Sequence, residues 1–165
     1  RETDRARQGK PAHIIAKMNA LLEPQIIRAL YKASQAGVKI DLIVRGPCAL
    51  RPGIAGLSEH IRVRSIIGRF LEHSRIFYFL NDGDDRVFLS SADWMDRNFF
   101  RRIEVAFPVL DPILRHRLIE EGLRPYLEDN THAWILHRDG TYKRQTPGRR
   151  AARSAQQWLM NRLVT

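Results

Sequence analysis

The sequence predicts a single α/β domain in which a mixed β-sheet lies between helices. Its 165 residues fit one domain, because domains usually have roughly 100 to 150 residues. Two domains of half this length would each have too few residues for a hydrophobic core. Hydrophobic residues make up 44% of the chain and charged residues 28%, which is typical of folded proteins and excludes the disordered class. A helical spacing of apolar residues is followed directly by a continuous apolar run typical of a buried strand, and this succession predicts the α/β class.

The first helix and strand are predicted by a change of hydrophobic period. Residues 23–36 place apolar side chains at helical spacing, Pro24 lies where a first helical turn tolerates it, and Gly37 can end the helix. Residues 38–44 are then a nearly unbroken run of β-branched and aliphatic residues. Such a run predicts a parallel strand that is covered on both faces.

The middle of the chain predicts a strand, a helix and a β-hairpin. Residues 60–65 are the strand candidate, and residues 65–74 place apolar side chains on one helical face. Residues 75–80 and 86–90 are aromatic and β-branched with a short polar loop between them, as in an antiparallel hairpin. Residues 91–100 are predicted as a loop or a short helix.

The last third of the domain predicts a strand, a helix and a second hairpin. The strand covers residues 101–109. Asp111 and Pro112 form an N-cap and first-turn pair ahead of a helix that ends near Pro125. Residues 132–144 form the hairpin, and an Asp-Gly pair supplies its positive-φ turn.

Composition divides the chain into three parts. Residues 1–20 are predicted as a lead-in from a missing upstream region, residues 21–145 as the domain, and residues 146–165 as a basic linker and terminal helix. The chain begins without Met, so we expect a fragment.

No apolar run approaches the roughly 20 residues that span a bilayer, and the start lacks the apolar core of a signal peptide. We therefore expect a cytoplasmic protein.

The net charge of +10 indicates a polyanionic ligand. Of the 28 basic residues, 23 are Arg, whose planar guanidinium grips phosphate oxygens in pairs. This favours a phosphate-rich ligand, although an Arg-rich genome with a solvated basic surface gives the same counts. Arg45 directly follows the strand at 38–44, and ligands of open α/β sheets bind just beyond the carboxyl ends of strands. We therefore expect Arg45 at a ligand site, with a surface loop cation as the alternative.

A second group of candidate residues surrounds the first hairpin. His73 and Arg75 begin one strand, whereas Ser90, Ser91 and Asp93 lie just past the end of its partner. An imidazole can attack phosphorus or transfer a proton near neutral pH, a nearby cation offsets phosphate charge, and hydroxyls donate to phosphate oxygens. The layout resembles the HxK and GSxN elements of the phospholipase D superfamily, with Arg for Lys and SSAD for GSxN. A structural role for His73 is the alternative.

Longer strings resemble the C-terminal part of polyphosphate kinases of the first family. They are AKMNALLEP, LYKASQAGVKIDLIVRG, RVRSIIGRFLEHSRIFYF, SSADWMDRNFFRRIEV and DNTHAWIL, and the resemblance covers about residues 9–143. It implies the second of two phospholipase D-like domains in a reversible ATP:polyphosphate phosphotransferase. It also implies that the histidine that takes the γ-phosphate of ATP belongs to the first domain and is missing from this chain.

The resemblance also assigns roles to single residues. Arg45 falls on an arginine that binds nucleotide phosphate, His73 on a second histidine near the transferring phosphate, and Arg102 on an arginine that lines the same site. His73 is then expected to act as a general acid or base for the absent nucleophile. Arg75 is expected to supply further charge, and the two serines and the aspartate of the hairpin group to shape the turn.

The expected ligands and partners follow from the same resemblance. ATP is the substrate, with ADP and inorganic polyphosphate in the same reaction, and Mg²⁺ is expected in the full enzyme with ligands outside this chain. Upstream domains of the same enzyme and further copies in a homo-oligomer are the expected partners, without specific nucleic acid. The fragment alone is expected to be inactive.

Two other classes of function stay open. One is a non-catalytic module that binds polyanions. The other is a phosphodiesterase of the phospholipase D type made by pairing two copies, which the Arg in place of Lys at position 75 disfavours. Trp94, Phe99 and Phe100 could stack on an adenine, but aromatic residues at such spacing more often fill a core.

Overall fold

Eight strands form one mixed sheet in the computed structural model of the chain, which describes residues 1–164. The strands are β1 (His13–Met18), β2 (Lys39–Val44), β3 (Ile61–Ile66), β4 (Ile76–Phe79), β5 (Arg86–Ser90), β6 (Ala106–Pro108), β7 (Ala133–Leu136) and β8 (Tyr142–Arg144). Their order across the sheet is β6-β5-β4-β1-β2-β3-β7-β8. The strands β1, β2 and β3 are parallel, and every other neighbouring pair is antiparallel.

Six α-helices accompany these strands within residues 1–164. They are α1 (Glu2–Arg7), α2 (Pro24–Gln35), α3 (Asp96–Phe100), α4 (Pro112–Arg117), α5 (Arg124–Glu128) and α6 (Ala155–Leu163). A π-helical segment, Leu118–Leu123, joins α4 to α5. None of the described helices is long and apolar enough to cross a membrane.

The sheet has one apolar core on each face, because successive residues of a strand point to opposite sides. Ala16 of β1 and Leu42 of β2 belong to the core that α2 covers. Ile15 and Ile43, their neighbours in sequence, belong to the second core, which includes Tyr126 of α5. Both faces are therefore covered by helices, and the predicted α/β fold with a mixed sheet is confirmed.

Several local predictions are also confirmed. The α2 helix begins at Pro24, and β2 is buried and parallel to both neighbours. The predicted hairpins are β4–β5 and β7–β8. The side chain of Asp111 caps α4 by accepting hydrogen bonds from the backbone N–H groups of Ile113 and Leu114, at 2.8 and 2.9 Å. The predicted terminal helix is α6, and residue 165 lies outside the described residues.

The predicted lead-in, residues 1–20, contains a central strand that the sequence did not reveal. Within it, β1 pairs with β2 on one side and β4 on the other. The apolar pattern was interrupted by Lys17, whose side chain is nevertheless only 2% exposed. Lys17 is buried because it pairs with Glu72. This region therefore belongs structurally to the sheet, while the limits of the domain stay a prediction.

The helix predicted at residues 65–74 is wrong. Residues 65 and 66 end β3, and residues 67–75 form an irregular loop. Ile67, Phe70 and Leu71 are 53, 49 and 67% exposed, so the apolar face expected of a helix has no core to cover.

Two predicted boundaries also change. The strand predicted at 101–109 is limited to Ala106–Pro108. The helix expected to end near Pro125 continues to Glu128, because Pro125 lies in the first turn of α5, where its missing N–H costs nothing.

Candidate functional site

Four strand ends meet at one edge of the sheet. The parallel strands β1 and β2 end at Met18 and Val44, which are register partners. The antiparallel strand β4 starts at this edge, with Ile76 opposite Lys17, and β5 ends beside it at Ser90. The topology therefore gathers the residues that follow or precede these ends. They are Asn19, Arg45, Arg75, Ser90 and Ser91.

Arg45, the first residue after β2, is fixed by hydrogen bonds to residues of the neighbouring strands. Its backbone N–H donates to the carbonyl oxygen of Met18 at 3.2 Å, and its Nε donates to Oδ1 of Asn19 at 3.1 Å. The hydroxyl of Ser65 donates to the carbonyl oxygen of Arg45 at 2.9 Å. The two Nη atoms have no hydrogen-bond partner within residues 1–164, so the outer edge of the guanidinium can bind an anion.

Arg75 binds Asp93 through two parallel hydrogen bonds, Nε to Oδ1 and Nη2 to Oδ2, both at 3.0 Å. Oδ1 of Asp93 also accepts from the backbone N–H of Asn19 at 2.7 Å and, at 3.3 Å, of Ala20. Burial raises the pKa of the Asp93 carboxyl, but these hydrogen bonds and the charge of Arg75 outweigh burial and hold that pKa below its usual value. The fork of Arg75 is thus occupied by a carboxylate of the protein.

His73 lies in the irregular loop 67–75 with its side chain exposed. Its carbonyl oxygen accepts a hydrogen bond from Nη1 of Arg75 at 3.2 Å, and its imidazole has no hydrogen-bond partner in the described part of the chain. The residues on either side of it, Glu72 and Ser74, line a small cleft together with Arg45, with a volume of about 10 Å³ that holds about one water molecule. The structure therefore brings Arg45 and the segment that carries His73 to one cleft.

Ser90 and Ser91 form the turn that follows β5. The hydroxyl of Ser90 accepts from the N–H of Ala92 at 3.0 Å and donates to the carbonyl oxygen of Val105 at 3.2 Å. The hydroxyl of Ser91 accepts from the N–H of Val105 at 3.0 Å and binds the Glu104 carboxylate. Both hydroxyls are therefore engaged within the turn, and direct contact with phosphate stays a prediction.

Arg102 is exposed in the segment between α3 and β6, two residues before Glu104. Hydrogen bonds from Ser91 and Asn98 hold the pKa of Glu104 below its usual value, and the charges of Arg102 and Arg75 act in the same direction. Both arginines therefore lie near this carboxylate. The guanidinium of Arg102 makes no hydrogen bond within the described residues, and its role in binding phosphate stays a prediction.

Asn19 is a site residue that the sequence analysis missed. Its side chain accepts from Arg45 and its backbone N–H donates to Asp93, so it joins the two arginine groups. Its Nδ2 is buried without a hydrogen-bond partner. A polar residue directly after a strand was the signal for Asn19, and it was lost because β1 itself was not recognised.

A buried ion pair next to His73 was also missed. Nζ of Lys17 lies 2.9 Å from Oε2 of Glu72 and 3.3 Å from the ring centroid of Tyr126. Burial lowers the pKa of Lys17, and the charge of Glu72 opposes that effect. The other oxygen of Glu72 accepts from Nε2 of Gln156 at 2.7 Å. No local pattern in the sequence connects these three residues.

Of the open alternatives for the aromatic residues, the structure settles the one for Trp94 and leaves the one for Phe99 and Phe100 open. Trp94 is a core residue that stacks on Phe77 with ring centroids 4.8 Å apart. Phe99 and Phe100 are exposed, so adenine stacking stays open for them.

Cys48 packs against the first core, and burial raises the pKa of its thiol. Within residues 1–164, no group of three His, Cys, Asp or Glu side chains is placed to hold a metal ion.

The chain is similar to polyphosphate kinases along almost its whole length. Residues 1–156 match the family model described as polyphosphate kinase C-terminal domain 2. The polyphosphate kinases of Paraburkholderia phytofirmans and Pseudomonas syringae pv. tomato are 62 and 63% identical to it over 164 residues, which is 99% of this chain. These residues cover 24 and 22% of the two relatives, so the chain spans about a quarter of their length.

Solved structures show the same relation. The crystal structure of a polyphosphate kinase from Porphyromonas gingivalis superposes with a TM-score of 0.94 and 42% identity, over 99% of this chain and 25% of that one. Nuc from Salmonella typhimurium, a phospholipase D family member, superposes with a TM-score of 0.55 over 82% of this chain and 88% of its own. At 15% identity this likeness concerns the fold alone, and it confirms the predicted phospholipase D-like fold.

Proposed function

Because this chain belongs to the polyphosphate kinase family, as its C-terminal domain 2, we propose that it supplies one half of the catalytic site of an ATP:polyphosphate phosphotransferase. In this proposal a histidine of another domain attacks the γ-phosphorus of ATP, the bond to the β-phosphate oxygen breaks, and ADP leaves with the electron pair. The phosphoryl group then passes to polyphosphate, and the sequence is reversible. The observation that carries the proposal is the cleft shared by Arg45 and the neighbours of His73.

Arg45 binds a phosphate group of the nucleotide. Its Nε is held by Asn19, so the guanidinium is already oriented when the ligand arrives. The outer Nη atoms then donate to two phosphate oxygens, a geometry that suits the planar fork of arginine. Arg102 supplies a second positive charge from the segment between α3 and β6. Fixed positive charge at this place stabilises the transferring phosphoryl group without further reorganisation.

His73 acts as a general acid or base for the histidine of the other domain. Its imidazole is exposed and so can meet a residue that this chain does not contain. Proton transfer of this kind contributes roughly 10²- to 10⁴-fold to a rate. No group of three His, Cys, Asp or Glu side chains among residues 1–164 is placed to hold a metal ion, and we propose that the ligands of the Mg²⁺ that accompanies ATP lie elsewhere in the enzyme.

A non-catalytic polyanion-binding module is the second candidate, and the net charge of +10 favours it. Binding of that kind is dominated by counterion release and does not distinguish DNA from polyphosphate. The phosphodiesterase alternative has less support, because Arg75 stands where that group has Lys and its fork is bound to Asp93. Catalytic variants separate these functions.

The test uses the full-length polyphosphate kinase that contains this chain. His73→Ala and Arg45→Ala are each expected to lower kcat for polyphosphate synthesis by about 10²-fold or more, because each removes a contact to the reacting group. Thermal unfolding should hardly change, since neither side chain belongs to a core. His116→Ala, which removes an exposed histidine of α4, is the matched control and should keep the wild-type rate. Wild-type rates in both site variants would leave the polyanion-binding module as the better description.

A further inference from the structure

The loop that carries His73 is held by side chains from distant parts of the chain. Residues 67–75 contain no helix and no strand. The carboxamide of Gln156 makes two hydrogen bonds with the backbone of Phe70. The N–H of Phe70 donates to Oε1 at 2.9 Å, and Nε2 donates to the carbonyl oxygen of Phe70 at 2.8 Å. Gln156 thus pairs with this loop much as a neighbouring strand would.

Gln156 also reaches the residue directly before His73. Its Nε2 donates to Oε1 of Glu72 at 2.7 Å, while the other carboxylate oxygen of Glu72 is bound by Lys17 of β1 at 2.9 Å. One carboxylate is therefore shared between the central strand and α6. Because a peptide has few free dihedral angles, fixing Glu72 and Phe70 restricts the position of the main chain at His73.

The start of α6 is anchored so that Gln156 has a defined position. Gln156 is 6% exposed and lies in the first turn of the helix. The N–H of Ala155 donates to Oδ2 of Asp129 at 2.8 Å, and the hydroxyl of Ser154 caps the helix by accepting from the N–H of Gln157. The contact with Asp129 and the Ser154 cap therefore fix the position of Gln156, which in turn holds the loop 67–75.

Gly68 leaves the space that this arrangement needs. A Cβ at position 68 would lie 2.4 Å from Oε1 of Gln156 and 2.8 Å from its carboxamide carbon. Any larger residue at 68 would displace the carboxamide from Phe70 and Glu72. The loop and α6 are thus complementary in shape as well as in hydrogen bonding.

We infer that Gln156 is a positioning residue for His73 in phosphoryl transfer, acting together with the Lys17–Glu72 pair. The inference rests on the proposed function, because it assigns to Gln156 an effect on the histidine proposed to assist the transfer. It makes α6, which the sequence presented only as a terminal helix behind a basic linker, part of the site. A catalytic group that is misplaced by about 1 Å can lose roughly 10²-fold in rate.

The test compares Gln156→Glu with Gln157→Glu in the full-length polyphosphate kinase that contains this chain. Gln156→Glu keeps the size of the side chain but replaces both Nε2 hydrogen bonds by a carboxylate that faces Glu72. We expect kcat to fall by about 10- to 100-fold while KM for ATP changes less than about threefold. Gln157→Glu makes the same change on the exposed face of α6 and should keep the wild-type kcat.

Two further variants show whether the effect passes through His73. Gly68→Ala displaces the Gln156 carboxamide without changing its chemistry, so it should also lower kcat, and it replaces Gln156→Glu if that variant does not fold. The double variant His73→Ala, Gln156→Glu should be no slower than His73→Ala alone, because residues that act as one unit are not additive. Hydrogen exchange should become faster in residues 67–75 of Gln156→Glu and stay unchanged in β2.

The outcomes separate this inference from the proposed function. A wild-type kcat in both Gln156→Glu and Gly68→Ala, with His73→Ala still slow, overturns the positioning role and leaves the proposed function standing. Losses that multiply in the double variant also overturn it, since Gln156 would then act independently of His73. A wild-type kcat in His73→Ala overturns the proposed function and the positioning role together.

Discussion

The two sides of the candidate cleft are built in different ways. Arg45 is positioned by the sheet, because it directly follows β2 and bonds to residues at the end of β1. His73 is positioned by the side chains of Lys17 from β1, Gln156 from α6 and Arg75, the residue just before β4. The position of Arg45 therefore follows from the sheet topology, whereas the position of His73 depends on a few side chains that single substitutions can remove.

The two constructions also differ in the number of contacts that must break together. The end of β2 can open only if its ladders to β1 and β3 open too. The middle of the loop 67–75 has fewer such contacts, since Gln156 and Lys17 bind residues 70 and 72 and Nη1 of Arg75 binds the carbonyl oxygen of His73. Proteins open locally at free energies that depend on such contacts, so single substitutions should affect the histidine side more than the arginine side.

The largest expected effect comes from replacing a cation by Met on each side of the cleft. Lys17→Met leaves the carboxylate of Glu72 half-buried without its cation, and breaking a buried ion pair in this way costs about 3 to 5 kcal/mol of unfolding free energy. Arg45→Met removes one hydrogen bond from a guanidinium whose outer edge is open, so it should cost about 1 kcal/mol. Urea unfolding of this chain followed by circular dichroism measures both.

A second substitution tests whether the stranded carboxylate causes the loss. Adding Glu72→Gln to Lys17→Met replaces the charge by a neutral amide of similar shape, and most of the lost stability should return. If the double variant is as unstable as Lys17→Met, the contact of the Lys17 ammonium with the Tyr126 ring stabilises the chain and the ion pair with Glu72 does not.

The next largest effect concerns Asp93, which joins the two sides of the cleft. Asp93→Asn keeps an oxygen that can accept from the N–H of Asn19, but it places an amide against Arg75 and removes the charge. We expect a loss of about 1 to 3 kcal/mol in unfolding free energy at pH 7. Asp96→Asn, on an exposed carboxylate of the same segment, is the control and should change stability by less than about 0.5 kcal/mol.

The pH dependence of this loss has a defined sign. The pKa of Asp93 is held below its usual value in the folded chain, whereas it is about 3.9 in the unfolded chain. The carboxylate therefore contributes stability that is fully present above pH 3.9 and is lost as the pH falls through the folded pKa. The difference between wild type and Asp93→Asn should shrink as the pH is lowered below about 4. A difference that stays constant from pH 7 to pH 3 would contradict this account.

The sequence analysis predicted Arg45 beyond a strand end and named His73 as a site residue, but it missed the contacts that hold the loop of the histidine. Arg45 was placed correctly beyond a strand end because residues 38–44 have an uninterrupted apolar pattern. The contacts of Gln156 have no local signal, since its partner Phe70 is 86 residues away. Lys17 interrupts the apolar pattern of β1, and the sequence does not show that its partner Glu72 allows it to be buried in a strand. Local periodicity therefore predicts elements whose partners are local or apolar, and it fails where a buried charge is paired across the chain.

The smallest expected effect separates true core residues from apolar residues that only follow a helical spacing. Leu71→Ser changes a side chain that is 67% exposed in an irregular loop, so it should alter the unfolding free energy by less than about 0.5 kcal/mol. Leu50→Ser, in the loop between β2 and β3, changes a leucine of the first core that is 1% exposed and should cost about 3 kcal/mol or more. Urea unfolding of this chain measures both variants. Equal losses would mean that residues 65–74 pack an apolar face after all, and that the loop owes its position to burial and not to Gln156 and Lys17.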